Sequence, residues 1–227
     1  MAQASQFDAI VVGGGSGGCV VTHRLVKAGW HVLLLEAGPT DQHLFITMPA
    51  TFVRVIGTER TWVYESAPQE NAGNRKMFVP QGRTLGGGSS VNAMVYIRGQ
   101  SRDYEDWANA GCAGWSWQDV LPWFRRAEAN QRLSGYFHGT EGPLKVSDTH
   151  YRHPLSLACV KAAQECGLPY SHDFNGEQQA GVGFYQTTTH EGERASTSAT
   201  YLAAVRDNPN LTVVTGAMVH RVLIEGG

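Results

Sequence analysis

The sequence has 227 residues, 42% of them hydrophobic, and a formal net charge of −2 at pH 7. This length accommodates one large domain or one and a half, and the charge, without basic runs, argues against a nucleic-acid or membrane-surface partner. No apolar run approaches the ~20 residues of a transmembrane helix, and the first strand pattern begins too early for a signal peptide, so we expect a cytoplasmic protein.

The first predicted unit runs from Asp8 to Gly38 and has a strand, glycine turn, helix and strand pattern. Residues 9–12 are a short apolar run, and Gly13, Gly15 and Gly18 follow it at the G-x-G-x-x-G spacing. The first glycine permits a tight turn, the second lets the backbone approach a pyrophosphate, and the third allows the helix to pack close to the sheet. The pattern predicts a βαβ dinucleotide-binding unit.

The predicted helix runs from Ser16 to Ala28 and presents Val21, Leu25 and Ala28 on its apolar face. Its N-terminal N–H groups and positive dipole end are suited to phosphates. Glu36 ends the second predicted strand, where a carboxylate suits the two hydroxyls of an unphosphorylated ribose. This unit alone does not distinguish FAD from NAD, and a glycine turn without any ligand is the competing interpretation.

Residues 39–80 form a long segment rich in Thr, Pro and Gly, which we interpret as a functional cover. Within it, residues 45–56 are predicted to be partly helical. Trp62 and Tyr64 alternate as in a strand. Trp62 is equally consistent with core packing and with a wall against an adenosine.

The next informative stretch is Gly82 to Gly99, GRTLGGGSSVNAMVYIRG. Three consecutive glycines followed by Ser89 and Ser90 are not expected inside a helix or strand. We therefore predict a loop whose N–H groups and hydroxyls face an anion, followed by an apolar segment over residues 91–97. A mere turn needs fewer glycines, so this loop is predicted to be a second cofactor contact.

These two motifs together resemble the amino-terminal half of the glucose–methanol–choline (GMC) oxidoreductases, FAD enzymes that oxidise alcohols. The glycine-serine stretch is similar to the family's first signature, including Asn92, Tyr96, Gly99 and Glu105. Similar pieces follow in order, and the choline-dehydrogenase-like branch is the most similar. The resemblance implies an α/β fold, with a Rossmann-like FAD-binding domain and part of an α+β substrate domain.

The resemblance implies that residues 86–95 lie along the FAD, with Asn92, Ala93 and Met94 nearest the flavin ring and Val219 beside the adenine. Some members attach the flavin covalently through a histidine after the serine pair. Val91 occupies that position here, so non-covalent FAD is expected. The complete set of expected FAD-contacting residues is Gly13, Gly15, Ser16, Gly18, Glu36, Ala37, Trp62, Arg83, Gly87, Ser90, Asn92, Ala93, Met94, Val95 and Val219.

The same resemblance implies the domain boundaries and the remaining elements. The expected boundaries are 1–149 for the first part of the FAD-binding domain, 150–193 for the start of the substrate domain and 194–227 for the return to the FAD-binding domain. The first expected element is a helix entered through Ser116, with Asp119 as its capping-box partner, that Pro122 should kink or restart. The others are a helix over 154–166, a strand-like stretch over 181–189, a helix capped by Ser196 or Ser198, and strands over 211–215 and 217–225. Four tryptophans between residues 107 and 123 are expected to pack hydrophobically.

No metal site is predicted, because His150 and His153 lack acidic or cysteine neighbours at ligand spacing. The four cysteines form no C-x-x-C pair and are expected to be buried, reduced thiols.

Glu225, Gly226 and Gly227 form a hairpin signal at the end of the sequence. By resemblance, the catalytic histidine belongs to a carboxyl-terminal half, so we expect a fragment with no catalytic side chain of its own. Its expected partners are that half and a small-molecule alcohol. A non-catalytic nucleotide-binding module, an NAD-dependent reductase and a GMC-type lyase with structural FAD are the alternatives.

Overall fold

The computed structural model describes residues 6–224. Its strands are short and are distributed along the whole chain: β1 (Ala9–Val12), β2 (Val32–Leu35), β3 (Thr61–Glu65), β4 (Phe78–Gly82), β5 (Glu128–Asn130), β6 (Leu144–Val146), β7 (Thr189–His190), β8 (Glu193–Arg194) and β9 (Leu211–Val214).

The α-helices alternate with these strands: α1 (Ser16–Lys27), α2 (Leu44–Thr47), α3 (Gly88–Val91), α4 (Ser101–Asn109), α5 (Trp117–Ala127) and α6 (Pro154–Glu165). Short 3₁₀ segments cover Pro49–Val55, Glu70–Ala72 and Ala203–Val205, and a π-helical turn covers Ser198–Leu202. The partly helical 45–56 segment and the strand carrying Trp62 are therefore confirmed. No helix in the described part of the chain is long and apolar enough to cross a membrane.

The chain divides into two compact units, one formed by residues up to Ala93 together with those from Gly192 onward, and the other by Met94–Glu191. The return to the first unit lies within two residues of the expected boundary at 194. The chain leaves the first unit at Met94 and not at residue 150, so residues 94–149 belong to the second compact unit. The assignment of FAD and substrate roles to these units stays a prediction.

The first unit is built on a parallel three-stranded sheet in the order β1-β2-β9. Ala9 pairs with Val32, and Val32 pairs with Leu211. Helix α1 connects β1 to β2 and packs on the sheet, where Cys19, Leu34, Leu85 and Leu202 form a buried cluster. The predicted strand–helix–strand unit is therefore confirmed. Its physical basis is that short apolar strands joined by a helix bury side chains when they pair in parallel.

The apolar face assigned to α1 from the sequence was only partly correct, because Leu25 is half-buried against the cluster of Val26, Val32 and Val205 but the other two residues are not buried. Val21 is 48% exposed and Ala28 is exposed, whereas Cys19, Thr22 and Val26 are buried. A Cβ added to Gly18 would lie 1.8 Å from the Gly13 carbonyl oxygen, so Gly18 faces the turn after β1. This contact fixes the rotation of the helix, and Thr22 and Val26 follow Gly18 on the same face at i+4 and i+8.

The second unit contains the parallel pair β5–β6 and the contacting helices α4 and α5. The Ser116 side chain accepts a hydrogen bond from the Asp119 N–H, and the Asp119 carboxylate accepts one from the Ser116 N–H, as the predicted capping box requires. Helix α5 continues through Pro122 without a restart.

Two expectations for the later elements were wrong. Residues 181–188 make isolated bridges, such as Tyr170 with Val182 and Ser147 with Thr187, and Thr189 begins the two-residue strand β7, so the stretch 181–189 forms no continuous strand. Residues 217–224 also form no strand, and the hairpin signal at 225–227 lies outside the described residues. The expected cap is confirmed, because the Ser196 hydroxyl accepts from the Ala199 N–H at 3.1 Å.

The tryptophans near α4 and α5 do not form a buried core. Trp107, Trp115 and Trp123 are 50%, 51% and 64% exposed. Trp107 and Trp115 make an edge contact at 5.7 Å between ring centroids, and the Arg126 guanidinium lies 5.4 Å from the Trp123 ring centroid. Hydrophobic packing was therefore overestimated for these three side chains.

Candidate cofactor-binding site

A cavity of about 270 Å³ lies at the carboxyl ends of β1 and β2 in the first unit. In parallel α/β sheets, this edge is where ligands bind. Its walls come from the first glycine turn, the end of β2, the cover segment, the second glycine turn and the stretch after β9: Val12, Gly13, Gly15, Leu35, Glu36, Ala37, Trp62, Gly82, Gly87, Ala217, Met218 and Val219.

The two glycine turns meet at this cavity, backbone against backbone. The Gly86 N–H donates to the Gly14 carbonyl at 2.6 Å. Gly87 has φ of +51°, and a Cβ there would lie 2.7 Å from the Gly15 Cα. A side chain at Gly87 would therefore separate the turns. This contact makes a cradle lined by backbone atoms, which fits the close approach that a pyrophosphate requires.

Helix α1 begins at the same cradle. Gly15 is its N-cap residue, no side chain caps it, and its first turn contains no acidic residue. The N–H groups of its first turn therefore donate to no capping carboxylate or hydroxyl. The donor set and the positive end of the helix dipole suit an anionic group.

Glu36 is only 6% exposed, and each of its carboxylate oxygens accepts a backbone hydrogen bond. The Gly14 N–H donates to Oε2 and the Gly38 N–H donates to Oε1, both at 2.8 Å. The carboxylate therefore braces the first glycine turn and the chain after β2. Each oxygen keeps a second acceptor position, which is compatible with the expected ribose contact.

Trp62 lines the cavity from β3, and the Arg83 guanidinium lies 4.8 Å from its ring centroid. Arg83 also donates from Nη1 to the Glu59 carbonyl at 3.3 Å. Its Nε is buried and has no acceptor within residues 6–224. Trp62 therefore does not pack as a core residue, and a cation holds its indole ring at the cavity wall.

The serine hydroxyls of the second glycine turn are used internally. The Ser90 side chain is fully buried and donates to the Leu85 carbonyl at 2.7 Å, and Ser89 donates to the Gly86 carbonyl at 2.6 Å. Both hydroxyls therefore use their proton within this segment of the chain, and their contact with an anionic cofactor stays a prediction. The prediction of a loop needs correction, because residues 88–91 form the one-turn helix α3, braced by these hydroxyls.

The residues expected near the flavin ring lie after this turn. Asn92 and Ala93 are exposed, and the Asn92 Oδ1 accepts from Arg194 Nη1 at 2.8 Å. Met94 is 5% exposed and has φ of +62°, a conformation unusual for a side chain of this size. Val95 is 48% exposed. Backbone strain of the kind at Met94 is common at functional sites.

The cavity brings together several of the expected residues, namely Gly13, Gly15, Glu36, Ala37, Trp62, Gly87 and Val219. It does not include Ser16, Gly18, Arg83, Ser90, Asn92 or Ala93, and Met94 and Val95 belong to the second unit. Their cofactor contacts stay predictions. Sequence reasoning missed five lining residues: Val12, Leu35, Gly82, Ala217 and Met218. Gly82 begins the glycine-serine stretch and could have been identified, whereas Met218 carries no local signal.

A second cavity, of about 400 Å³, lies in the other unit and is lined by Trp117, Tyr136, Phe174 and neighbouring polar residues. It contains no meeting of two glycine turns. The cavity of the first unit is therefore the candidate for the predicted dinucleotide site.

The second unit also contains a buried charged network that the sequence did not indicate. Glu128 accepts from Arg98 at 2.8 Å and pairs with His138 Nδ1 at 3.0 Å, while His138 Nε2 lies 2.8 Å from Asp173. Burial opposes the charged imidazole, but the two carboxylates outweigh it and raise the pKa of His138 to about 9. The pKa values of Glu128 and Asp173 are lowered, because hydrogen bonds from His138 and other donors outweigh their burial. The network is therefore two cations with two carboxylates at neutral pH.

No cluster of metal-ligating side chains occurs in residues 6–224. Cys19 is buried, and burial raises the pKa of its thiol. Cys112, Cys159 and Cys166 are free and exposed, so the expectation that all four are buried was wrong.

Comparison with known proteins identifies the family. The family model of the amino-terminal region of GMC oxidoreductases matches residues 7–227. A protein named alcohol dehydrogenase (acceptor) from Pseudomonas putida is 43% identical over 222 residues, covering 96% of this chain and 40% of that protein. Mitochondrial choline dehydrogenase from Mus musculus is 41% identical, covering 97% of this chain and 39% of that protein. The chain thus spans about two fifths of the length of these curated relatives.

Solved structures show the same fold. The crystal structure of pyridoxine 4-oxidase from Mesorbium loti superposes with a TM-score of 0.91 at 32% identity, covering 97% of this chain and 44% of that one. An FAD-dependent oxidoreductase from Chaetomium thermophilum superposes with a TM-score of 0.84 at 30% identity, covering 92% of this chain and 38% of that one. The expected α/β, Rossmann-like fold is confirmed.

Proposed function

Since this chain belongs to the glucose–methanol–choline oxidoreductases, we propose that it forms the FAD-binding portion of an enzyme that oxidises an alcohol to an aldehyde or ketone. The observation that carries this proposal is the meeting of Gly15 and Gly87, backbone against backbone, at a cavity walled by Glu36 and Trp62. The names of the relatives, which include alcohol and choline dehydrogenases, support an alcohol as the small-molecule substrate.

When bound, FAD supplies the oxidising chemistry by accepting a hydride from the carbinol carbon at flavin N5. The chain's own residues bind and orient it. The α1 N-terminus and the Gly13–Gly15 turn hold the pyrophosphate, and Glu36 accepts from the ribose hydroxyls. Trp62 and Val219 flank the adenosine, and the residues from Asn92 to Val95 lie along the ring.

We propose that the FAD is bound without a covalent link. Val91, at the position where the resemblance places a flavin-linked histidine, carries no nucleophile. Retention of the cofactor then depends on the cradle, on Glu36 and on the cover segment. Denatured protein should release all of its flavin.

The proposed partner is the carboxyl-terminal half of the same kind of enzyme, which carries the catalytic histidine, and we assign no catalytic side chain to this chain. Ile10 and Val12, on β1, are 60% and 57% exposed. Two adjacent apolar side chains on one face of a sheet strand are suited to being covered by further protein. The compartment that we propose is the cytoplasm.

The test is titration of the purified chain with FAD, followed by absorbance and by flavin fluorescence. Gly87→Ala is the informative variant, because its Cβ would lie 2.7 Å from the Gly15 Cα. Gly29→Ala is the matched control, since Gly29 also has a positive φ, +89°, but its Cβ would meet no atom within 4 Å. Both variants carry the backbone strain, and only the first separates the two turns.

We expect the wild-type chain and Gly29→Ala to bind FAD and Gly87→Ala to bind it at least tenfold more weakly. NAD should not compete. Flavin that stays with the polypeptide after denaturation would show that the non-covalent assignment is wrong. Equal FAD affinity of Gly87→Ala and Gly29→Ala, or tight binding of NAD in place of FAD, would contradict the site itself.

A further inference from the structure

Arg194 is a buried cation in the first unit, and neither the sequence motifs nor the proposed FAD contacts include it. It is 5% exposed and lies on β8. Its Nε donates to the Ile46 carbonyl at 2.9 Å, and its Nη1 donates to the Ser89 carbonyl at 3.1 Å and to the Asn92 Oδ1 at 2.8 Å. One guanidinium thus ties the cover segment to the second glycine turn.

The acceptors of Arg194 are all neutral. Within residues 6–224, Arg98, Arg102, Arg132 and Arg206 each have a carboxylate oxygen within 4 Å, and no such ion pair involves Arg194. Its Nη2 is buried and has no acceptor in the same part of the chain. Burial lowers the pKa of Arg194 to about 10, which still leaves it charged at neutral pH.

This arrangement is unfavourable for stability alone. A buried charge without a counterion costs several kcal/mol of desolvation, and a buried donor without an acceptor adds to that cost. A neutral side chain would fill the same space at lower cost. The retained charge therefore points to a role in the site.

The contact with Asn92 indicates what that role is. Asn92 ends helix α3, and its amide oxygen is held by the guanidinium. The amide nitrogen consequently lies on the opposite side of the amide group from Arg194. The guanidinium fixes the rotamer of Asn92 and places a positive charge at the end of the turn.

We propose that Arg194 is a positioning residue of the flavin site, acting through Asn92. This inference rests on the proposed FAD binding, in which Asn92 lies beside the flavin ring. A fixed amide orients the bound ring, and a buried positive charge beside it favours the electron-rich, reduced state of the cofactor. Replacement of Arg194 by a neutral residue should weaken FAD binding and make the reduction potential of the bound flavin more negative.

The experiment uses the purified chain with FAD itself as the probe. Arg194→Gln removes the charge, whereas Arg194→Lys keeps the charge but loses the forked donor geometry. Asn92→Ala and the double variant Arg194→Gln/Asn92→Ala complete a double-mutant cycle. Arg206→Gln is the matched control, because the Arg206 side chain is 39% exposed and has a carboxylate partner, Asp41, at 3.9 Å.

We expect Arg194→Gln to weaken FAD binding about tenfold and to shift the potential to a more negative value, with Arg206→Gln unchanged in both. Arg194→Lys should weaken FAD binding while keeping a near wild-type potential. The effects of Arg194→Gln and Asn92→Ala on affinity should be less than additive, because both remove the same contact. The potential, measured by equilibration with a reference dye, is a readout that a merely structural arginine would not move.

The outcomes separate the two proposals. A folded wild-type chain that does not bind FAD would refute the proposed function, and this inference with it. A wild-type chain that binds FAD while Arg194→Gln keeps both affinity and potential would refute the inference alone. If Arg194→Gln does not fold, the cycle of Arg194→Lys with Asn92→Ala decides, and strictly additive losses of affinity would overturn the role through Asn92.

Discussion

Replacement of Glu36 by Gln tests whether this carboxylate stabilises the FAD-free chain in addition to its proposed contact with a ribose. Its two oxygens accept from the Gly14 and Gly38 N–H groups at 2.8 Å, and the side chain is 6% exposed. An amide keeps one acceptor, and its NH₂ group then faces a backbone N–H. One buried donor loses its partner, and the other loses a charged acceptor.

A hydrogen bond to a charged group contributes about 1.5–3 kcal/mol, and a buried donor left unsatisfied costs about 1–3 kcal/mol. Because part of this is recovered by small shifts of the two glycine backbones, we expect Glu36→Gln to lower the free energy of unfolding of the FAD-free chain by about 2–3 kcal/mol. Urea unfolding followed by circular dichroism measures this quantity.

Glu165→Gln is the control, since its carboxylate side chain is 68% exposed and pairs only with Lys161 on the surface of α6. Its effect should stay within about 0.5 kcal/mol. Unchanged stability of FAD-free Glu36→Gln, together with a loss of FAD affinity, would refute the bracing role and leave Glu36 as a ligand contact only.

Three further predictions concern stability, each measured as the free energy of unfolding. Thr22 and Thr84 are both fully buried, but Thr22 Oγ1 has no partner within residues 6–224, whereas Thr84 Oγ1 donates to a carbonyl at 2.9 Å. Thr22→Val should therefore stabilise the chain by about 1 kcal/mol, and Thr84→Val should destabilise it by about 1–2 kcal/mol. Equal effects of the two substitutions would contradict this. A Cβ at Gly18 would lie 1.8 Å from a carbonyl oxygen while one at Gly17 would meet nothing within 4 Å, so Gly18→Ala should prevent stable folding and Gly17→Ala should be neutral or slightly stabilising. The pKa of His138 is raised from 6.5 to about 9, so the charged imidazole stabilises the folded chain fully below pH 6.5, and this stabilisation is lost as the pH rises towards 9. The loss in free energy of unfolding should reach at most about 3 kcal/mol. His138→Gln should make this part of the stability–pH profile flat.

The local pattern of the sequence determined the dinucleotide unit. Four apolar residues, three glycines at fixed spacing and an acid at the end of the next apolar run fix the strand, the turn, the helix and the second strand. These features are predictable because each depends on neighbours within one turn or one strand. Gly18 shows the limit of such reasoning, since its contact with Gly13 set the rotation of α1, and of the apolar face predicted from periodicity only Leu25 packs against the core.

Several wrong predictions concern partners distant in the chain. Residues 181–188 and 217–224 have strand-like composition, but a strand needs a paired neighbour, and composition does not supply one. The same applies to the exposed tryptophans, because burial depends on what packs against a side chain. The direction of the serine hydroxyls was also decided by the structure, in which they donate to the carbonyls of Leu85 and Gly86.

The sequence alone therefore determined the family, the two glycine turns and the acid between them. Tertiary structure alone decided that the turns touch, that Glu36 is held by two backbone amides, and that Arg194 reaches Asn92 across 102 positions of sequence. The physical reason is that glycine spacing and periodicity express local sterics, whereas the pairing of a buried charge depends on which distant segments the fold brings within hydrogen-bonding distance.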